Sequence, residues 1–401
     1  MPRVLTEQRR DFVDAVADFC RRECGTQQQR DALTQPHDEG IYAKLADAGW
    51  LGISLPEEFG GAGQGMTELC LLLEETAYGR VPMGGFATSI ISAAAYEKFA
   101  ADEQKKLVLE GVIRGRVEAI SMSEPGAGSD VGALTCRADE VDGGWRINGQ
   151  KTWCSNAHIA DHILLIARTS KESSKHEGLT QFMVPTSAEG LRISGIDTMG
   201  GREVNDLYFT DCFVPDESVV GTVGRAWHQL MAGLNLERMI LGASMLGAAR
   251  RAFDDTLDYV RQREQFGRPI GSFQALKHRI ADMATELECA QLLVYSVAAQ
   301  IDAEPDRVFA REASMVKLKC TELAKHVSLE GMQMLGGYGY TTEYGMESML
   351  RSTVVSTVYG GTSEIQRDII VQDLRTLNQP TRFAPGPEAE RRLDNSLPRA
   401  C

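Results

Sequence analysis

Glu237 stands within Leu234-Asn235-Leu236-Glu237-Arg238-Met239-Ile240-Leu241, a carboxylate with apolar residues on both sides. Loss of water there disfavours the charged form and raises the pKa. A carboxylate of raised pKa is suited to taking a proton from carbon near neutral pH. The bland alternative is a Glu-Arg pair on a solvated helix face. A second stretch, Ala119-Ile120-Ser121-Met122-Ser123-Glu124-Pro125-Gly126-Ala127-Gly128-Ser129-Asp130, offers three serine hydroxyls and two glycines that let a backbone approach a ligand closely. Equally, such a segment is a plain turn between domains. It is not the G-x-G-x-x-G nucleotide fingerprint, and no βαβ unit surrounds it. Arg263 has the planar fork that suits a pyrophosphate, although a single arginine is ordinarily a solvated charge.

Four further segments complete the pattern: Lys151-Thr152-Trp153-Cys154-Ser155-Asn156; Arg261-Gln262-Arg263-Glu264-Gln265-Phe266-Gly267-Arg268-Pro269-Ile270 with Phe273-Gln274; Gln333-Met334-Leu335-Gly336-Gly337-Tyr338-Gly339; and Tyr359-Gly360-Gly361-Thr362-Ser363-Glu364-Ile365-Gln366. The last resembles the Y-E-G-T-x-x-I-Q signature of the flavin-dependent acyl-CoA dehydrogenases. The Ser123–Asp130 stretch is similar to that family's S/T-E-P-x-A-G-S-D, and the Trp153 segment to its K-x-W-I-T-N. The other two match R-x-x-F-G-x-P-I-x-x-F-Q and Q-x-x-G-G-x-G. The resemblance extends from Trp50 to Gln366.

In most of that family the second position of the Y-E-G-T signature is the catalytic glutamate; here it is Gly360. Leu234-Asn235-Leu236-Glu237-Arg238 resembles the L-D-L-E-R of isovaleryl-CoA dehydrogenase, which with the long-chain members carries its base on that helix. The resemblance therefore implies Glu237 as the catalytic base. It implies FAD as cofactor, with Met122, Ser123, Ser129, Trp153, Ser155, Thr362 and Glu364 contributing to its site. Arg263, Gln265, Phe266, Gln274, Gln333, Gly336 and Gly337 would reach the FAD of a neighbouring subunit. Ser129, Asn235, Arg238, Gly360 and Gly361 are the implied substrate contacts. An acyl-CoA substrate, an electron-transferring flavoprotein as electron acceptor and a homotetramer follow from the same resemblance. A branched or medium-to-long acyl chain is expected, because the glycine leaves space near the thioester. Within the same superfamily, an acyl-CoA oxidase, a flavin monooxygenase or a non-catalytic subunit of a hetero-oligomer are the alternatives.

The elements that must position these residues change in character along the chain. Up to about residue 118 the pattern is helical, with Phe12, Val13, Val16, Phe19 and Cys20 at helical spacing. Residues 119–228 read as a β-barrel-like block of short segments, with Asp142-Gly143 as a hairpin turn and 169–178 as a polar loop. Residues 229–378 read as a bundle of long helices, over Met239–Val260, Phe273–Ala303, Ala310–Met334 and Ile365–Leu377. The proline-containing stretch 379–401 is expected to be a mobile tail. The fold expected is thus α+β and multidomain: helical, then β, then a four-helix bundle.

The 401 residues are 43% hydrophobic and 24% charged, and 56 acidic against 42 basic side chains give a net charge of −14. That balance argues against nucleic acid as a partner. No apolar run reaches the ~20 residues of a membrane span. Nine cysteines without C-x-x-C suggest free thiols in a reducing cytoplasm, and scattered histidines suggest no metal site.

Overall fold

The computed structural model describes residues 5–33 and 37–376. The expected tail lies outside the described residues. Six helices come first: α1 (Glu7–Cys24), α2 (Gln27–Ala32), α3 (Glu39–Asp47), α4 (Met66–Tyr78), α5 (Phe86–Phe99) and α6 (Asp102–Ile113). The amphipathic α1 starts where the Thr6 hydroxyl accepts from the Arg9 N–H. It buries Val16, Phe19, Cys20 and Cys24, and Phe19 meets Trp50 edge-on at 5.4 Å. In contrast, α4 is buried almost all round, so it forms the centre of the helical part. Its first turn is capped from far away. Asp302 accepts from the Met66 N–H at 2.6 Å and the Thr67 N–H at 3.1 Å.

Eight strands follow: β1 (Glu118–Ser121), β2 (Arg137–Val141), β3 (Gly144–Ser155), β4 (His162–Arg168), β5 (Leu179–Pro185), β6 (Leu191–Thr198), β7 (Gly201–Pro215) and β8 (Val219–Val220). They form one sheet in the order β6-β7-β3-β2-β4-β5-β8, with β1 running parallel to β4. The hairpin expected at Asp142-Gly143 joins β2 to β3, with Gly143 at φ 73°. The sheet docks on the first helices through β1. The Ser89 hydroxyl accepts from the Glu118 N–H at 2.9 Å, and the Ser92 hydroxyl donates to the Ala119 carbonyl at 3.4 Å. The small residues of α5 therefore serve helix-to-sheet packing.

The remaining helices are α7 (Ala226–Gln262), α8 (Gln274–Ala303), α9 (Ala310–Leu335), α10 (Met346–Val354) and α11 (Ser363–Thr376), with a small ribbon, β9 (Glu264–Gln265) and β10 (Arg268–Pro269), between α7 and α8. The sequence places the first long helix of this block over Met239–Val260, but α7 begins at Ala226. Its first turns are held by burial of Ala226 and Leu230 against Ala127, Leu134, Ile166 and Leu179. That packing outweighs the poor helix propensity of Gly233 and Asn235.

Two glycines let α7 approach its neighbours closely. A methyl group at Gly247 would strike the Glu74 carbonyl oxygen of α4, and one at Gly242 would strike Val316 of α9. Glu74 is fully buried and pairs with Arg250 and Tyr295, which ties α4 to α7 and α8. Gly247→Ala should therefore cost at least ~1–3 kcal/mol through overpacking against backbone. Denaturant unfolding of the two proteins side by side checks this, and equal midpoints would contradict it.

Candidate active site

Two backbone platforms make up the site, and each rests on a buried lysine. The first joins the Ser121–Cys136 loop to β3. Lys151 is fully buried, and its Nζ donates to the Glu124 Oε1 and to the Met122 carbonyl, both at 2.9 Å. Glu124 in turn accepts from the Thr135 N–H at 2.7 Å, the Thr135 hydroxyl at 2.8 Å and the Cys136 N–H at 2.8 Å. The Thr152 N–H donates to the Ser123 carbonyl at 3.0 Å. The loop is thereby locked to the strand, with half-buried Met122 and Ser123 beside exposed Ser129. Asp130, next to Ser129, is held by Lys175 at 2.6 Å.

Along β3 the pairing with β7 breaks register between Lys151 and Cys154. Trp153 falls within that irregularity, at φ 60° with its side chain 60% exposed. A bulky residue at positive φ is uncommon, and strain of this kind concentrates where a ligand is held. Ser155 lies two residues further on, half-buried.

The second platform brings α7 to the turn before α11. Gly360 and Gly361 are both left-handed, at φ 61° and 81°. The Gln366 side chain donates to both of their carbonyls at 3.0 Å, and Lys317 of α9 donates to the Gly361 carbonyl at 2.8 Å. Thr362 caps α11, its hydroxyl accepting from the Ile365 N–H at 3.3 Å, and Glu364 is exposed in the first turn. A Cβ added at Gly360 would lie 3.4 Å from the Glu237 Oε1 and 2.5 Å from the Leu241 Cδ1. The Glu237 carboxylate thus fills the space beside the glycine. Burial raises its pKa, against the opposing charges of Arg238 and Lys317. The Arg238 Nη1 donates to the Asn235 Oδ1 at 2.7 Å, one turn earlier on the same helix.

The third group of residues stands apart. Arg263 lies over the Tyr338 ring at 5.7 Å, so the 263–274 and 333–339 segments adjoin. Phe266 is 93% exposed at φ 55°, edge-on to Phe273 at 6.0 Å. Gln265 bonds its neighbour's carbonyl, Gln274 contacts His278, and Gln333, Gly336 and Gly337 are exposed. Among the described residues, no hydrogen bond, ion pair or ring contact joins these segments to Met122–Ser155 or to Glu237.

The comparisons agree along most of the chain. Family profiles for the acyl-CoA dehydrogenase N-terminal, middle and C-terminal domains match residues 6–116, 119–212 and 224–374. Isovaleryl-CoA dehydrogenase of Solanum tuberosum mitochondria is 36% identical, over 92% of this chain and 91% of its own. The chain belongs to the acyl-CoA dehydrogenase family. Butyryl-CoA dehydrogenase from Megasphaera elsdenii superposes with a TM-score of 0.85 at 28% identity, over 94% of this chain and 100% of its own. The FAD complex of PigA superposes with a TM-score of 0.87 at 26% identity, over 94% and 99%.

Members of the acyl-CoA dehydrogenase family are FAD flavoproteins, and the first platform fits that group. An exposed indole offers a face for a flat ring. Ser155 lies two residues beyond it, Ser123 is tied to its neighbour Thr152 through the backbone, and nothing lies within 4 Å of where side chains at Gly126 and Gly128 would begin. Among the described residues, no helix is long and apolar enough to cross a membrane and no cluster of side chains could hold a metal ion.

Sequence reasoning quoted Glu124, Lys151 and Gln366 without giving them a role, named Leu241 only as an apolar neighbour of Glu237, and missed Lys317. A lysine set between Val316 and Leu318 in a helical run was the available signal for Lys317.

Burial by itself would raise the Glu124 pKa, but Lys151 and the bonds from Thr135 and Cys136 outweigh it and hold the carboxyl below its ordinary 4.5. A depressed pKa stabilises the fold above the ordinary value, and the gain is lost as pH falls through the folded-state pKa. Glu124→Gln should cost ~3–5 kcal/mol at neutral pH by leaving Lys151 buried and unpaired. The gap from wild type should narrow as pH drops below 4.5. Thermal unfolding across pH checks both, and a pH-independent gap would contradict the assignment.

Proposed function

We propose that this protein removes two hydrogens across the α,β bond of a branched or medium-to-long acyl-CoA, with Glu237 as the α-proton base. The observation that carries this reading is the Glu237 carboxylate at 3.4 Å from where a Gly360 side chain would begin. In most relatives the base is expected at position 360; here the carboxylate reaches that space from α7. The raised pKa of Glu237 supports the role, because a base poised nearer to neutral pH transfers protons more effectively.

The other requirements fall to the backbone and to the cofactor. Bound FAD would accept the β-hydride, chemistry that no side chain supplies. Met122, Ser123, Trp153, Ser155, Thr362 and Glu364 would hold it, with Ser129 at the start of the thioester arm. A glycine at 360 retains its N–H, so a donor to the developing enolate oxygen survives loss of the side chain. Gln366 and Lys317 hold that N–H in place through the carbonyls of the turn. Asn235 and Arg238 would meet the CoA arm above Glu237. The similarity to isovaleryl-CoA dehydrogenase supports a branched substrate.

Among the described residues, Arg263, Gln265, Phe266, Gln274, Gln333, Gly336 and Gly337 make no hydrogen bond, ion pair or ring contact with this site. They suit a cofactor held by a neighbouring copy, and a homotetramer accommodates that arrangement. An electron-transferring flavoprotein is the fitting electron acceptor. The three blocks 1–118, 119–228 and 229–378 would then act as the working units.

Glu237→Gln should retain flavin yet lose at least ~10²-fold in turnover, the lower range for removing an acid–base group. Anaerobic flavin bleaching with isovaleryl-CoA and with straight-chain acyl-CoAs reads out both activity and chain preference. Near-normal bleaching by the variant would remove Glu237 from the mechanism. In the wild type, activity should fall as pH drops through a value above 4.5, because protonation of the raised carboxyl abolishes the base. An acidic limb at or below that ordinary value would contradict the burial argument.

A further inference from the structure

Lys317 follows Val316 on α9, the residue that a methyl group at Gly242 of α7 would strike. Glu237 is about a turn and a half before Gly242 on α7. Lys317 is fully buried, and among the described residues its ammonium has one hydrogen-bond acceptor, the Gly361 carbonyl at 2.8 Å. An ammonium carries three donors, so this is a sparse setting for a buried charge. The shape of the turn does not by itself account for a buried charge, because Lys317 shares that task with the neutral Gln366 amide, which bonds the carbonyls of Gly360 and Gly361, each at 3.0 Å.

We propose that Lys317 is a positioning residue for the reaction: its buried ammonium steadies the Gly360–Gly361 turn through the Gly361 carbonyl and is the standing counter-charge of Glu237. The inference rests on the reading of Glu237 as the base. A carboxylate pressed into apolar surroundings protonates unless cations stand near it. Two do so here. Arg238 is on the same helix and is engaged with Asn235 at 2.7 Å, whereas Lys317 approaches from the opposite helix.

Other charged and titratable groups face the pair from each neighbouring element. Glu322 of α9 and Glu364 of α11 act on Lys317, and Tyr359 in the turn feels both Glu203 of β7 and Glu237. Burial brings Lys317 down to about 8, with Glu237 acting in the opposite sense. The cation is therefore present through neutral pH and fades only above about 8.

The test uses the purified full-length protein with two variants. Lys317→Gln keeps a donor for the Gly361 carbonyl but removes the charge; Lys317→Met removes both. The protonated-carboxyl infrared band of Glu237, isolated by difference against Glu237→Gln, is followed across pH together with the acidic limb of kcat/KM. Both variants should move the band midpoint and the limb upward by at least about one pH unit, the low end for losing a nearby opposite charge. Lys317→Met should in addition lose about tenfold in kcat with KM little changed, less than the ~10²-fold cost of deleting an oxyanion donor. A folded variant with wild-type midpoint and limb overturns the inference, as does a loss confined to thermal stability. An inactive Glu237→Gln with an unmoved midpoint fails Lys317 alone. A fully active Glu237→Gln fails the base and this inference with it.

Discussion

A carboxylate half removed from water is the constraint around which the C-terminal half is arranged. Glu237 projects from a helix whose next turn, Met239 and Ile240, is wholly buried. Such a group stays useful only if it has room, cations and a fixed partner surface. Gly360 supplies the room, because any side chain there would compete with Glu237 and Leu241 for the same space. Arg238 and Lys317 supply the charge. The left-handed turn at Gly360-Gly361, which glycine adopts without steric cost, supplies the surface.

Both halves of the site use one device. In each, a wholly buried lysine donates to a backbone carbonyl of the loop that must be aimed: Lys151 to Met122, and Lys317 to Gly361. A loop pinned by its carbonyls keeps its N–H groups and hydroxyls free to point outward. The difference lies in the counter-charge. Lys151 is matched at 2.9 Å by Glu124, which accepts three further bonds, so that pair is a closed structural unit. Among the described residues no carboxylate bonds Lys317 directly; Glu237, Glu322 and Glu364 balance it from further away. One lysine holds shape; in the mechanism proposed above, the other holds shape and tunes the base.

Legibility in the sequence followed the range of the interactions. Helices set by local periodicity were readable: α8 and α9 match their expected spans to within about a residue, and the β2–β3 hairpin follows from Asp142-Gly143. The start of α7 was not readable, because Ala226 and Leu230 are helical for the sake of partners about 50 to 100 residues earlier. Position 237 stood out by its apolar neighbours, and position 360 by the absence of a side chain. Their adjacency came only from the packing of α7 against the final turn, which sets the Glu237 Oε1 3.4 Å from where a Gly360 side chain would begin. Lys317 left a weak trace, since a lysine in an apolar helical run reads first as a side chain reaching to solvent. The Arg263 and Gln333 segments matched strongly as motifs, yet within one chain they stand together and away from Trp153.

What the sequence determined alone is chemical inventory: which carboxylate was available, which backbone positions lacked a Cβ, and which segments would twist into helix or strand, because composition and periodicity act over a few residues. What the tertiary structure decided is adjacency and ionisation. Whether Glu237 meets Gly360, and whether its proton is held more tightly than usual, depends on α7, α9 and the turn before α11 closing on one another. Desolvation and Coulomb energy belong to the packed assembly of groups, and no single stretch of chain carries them.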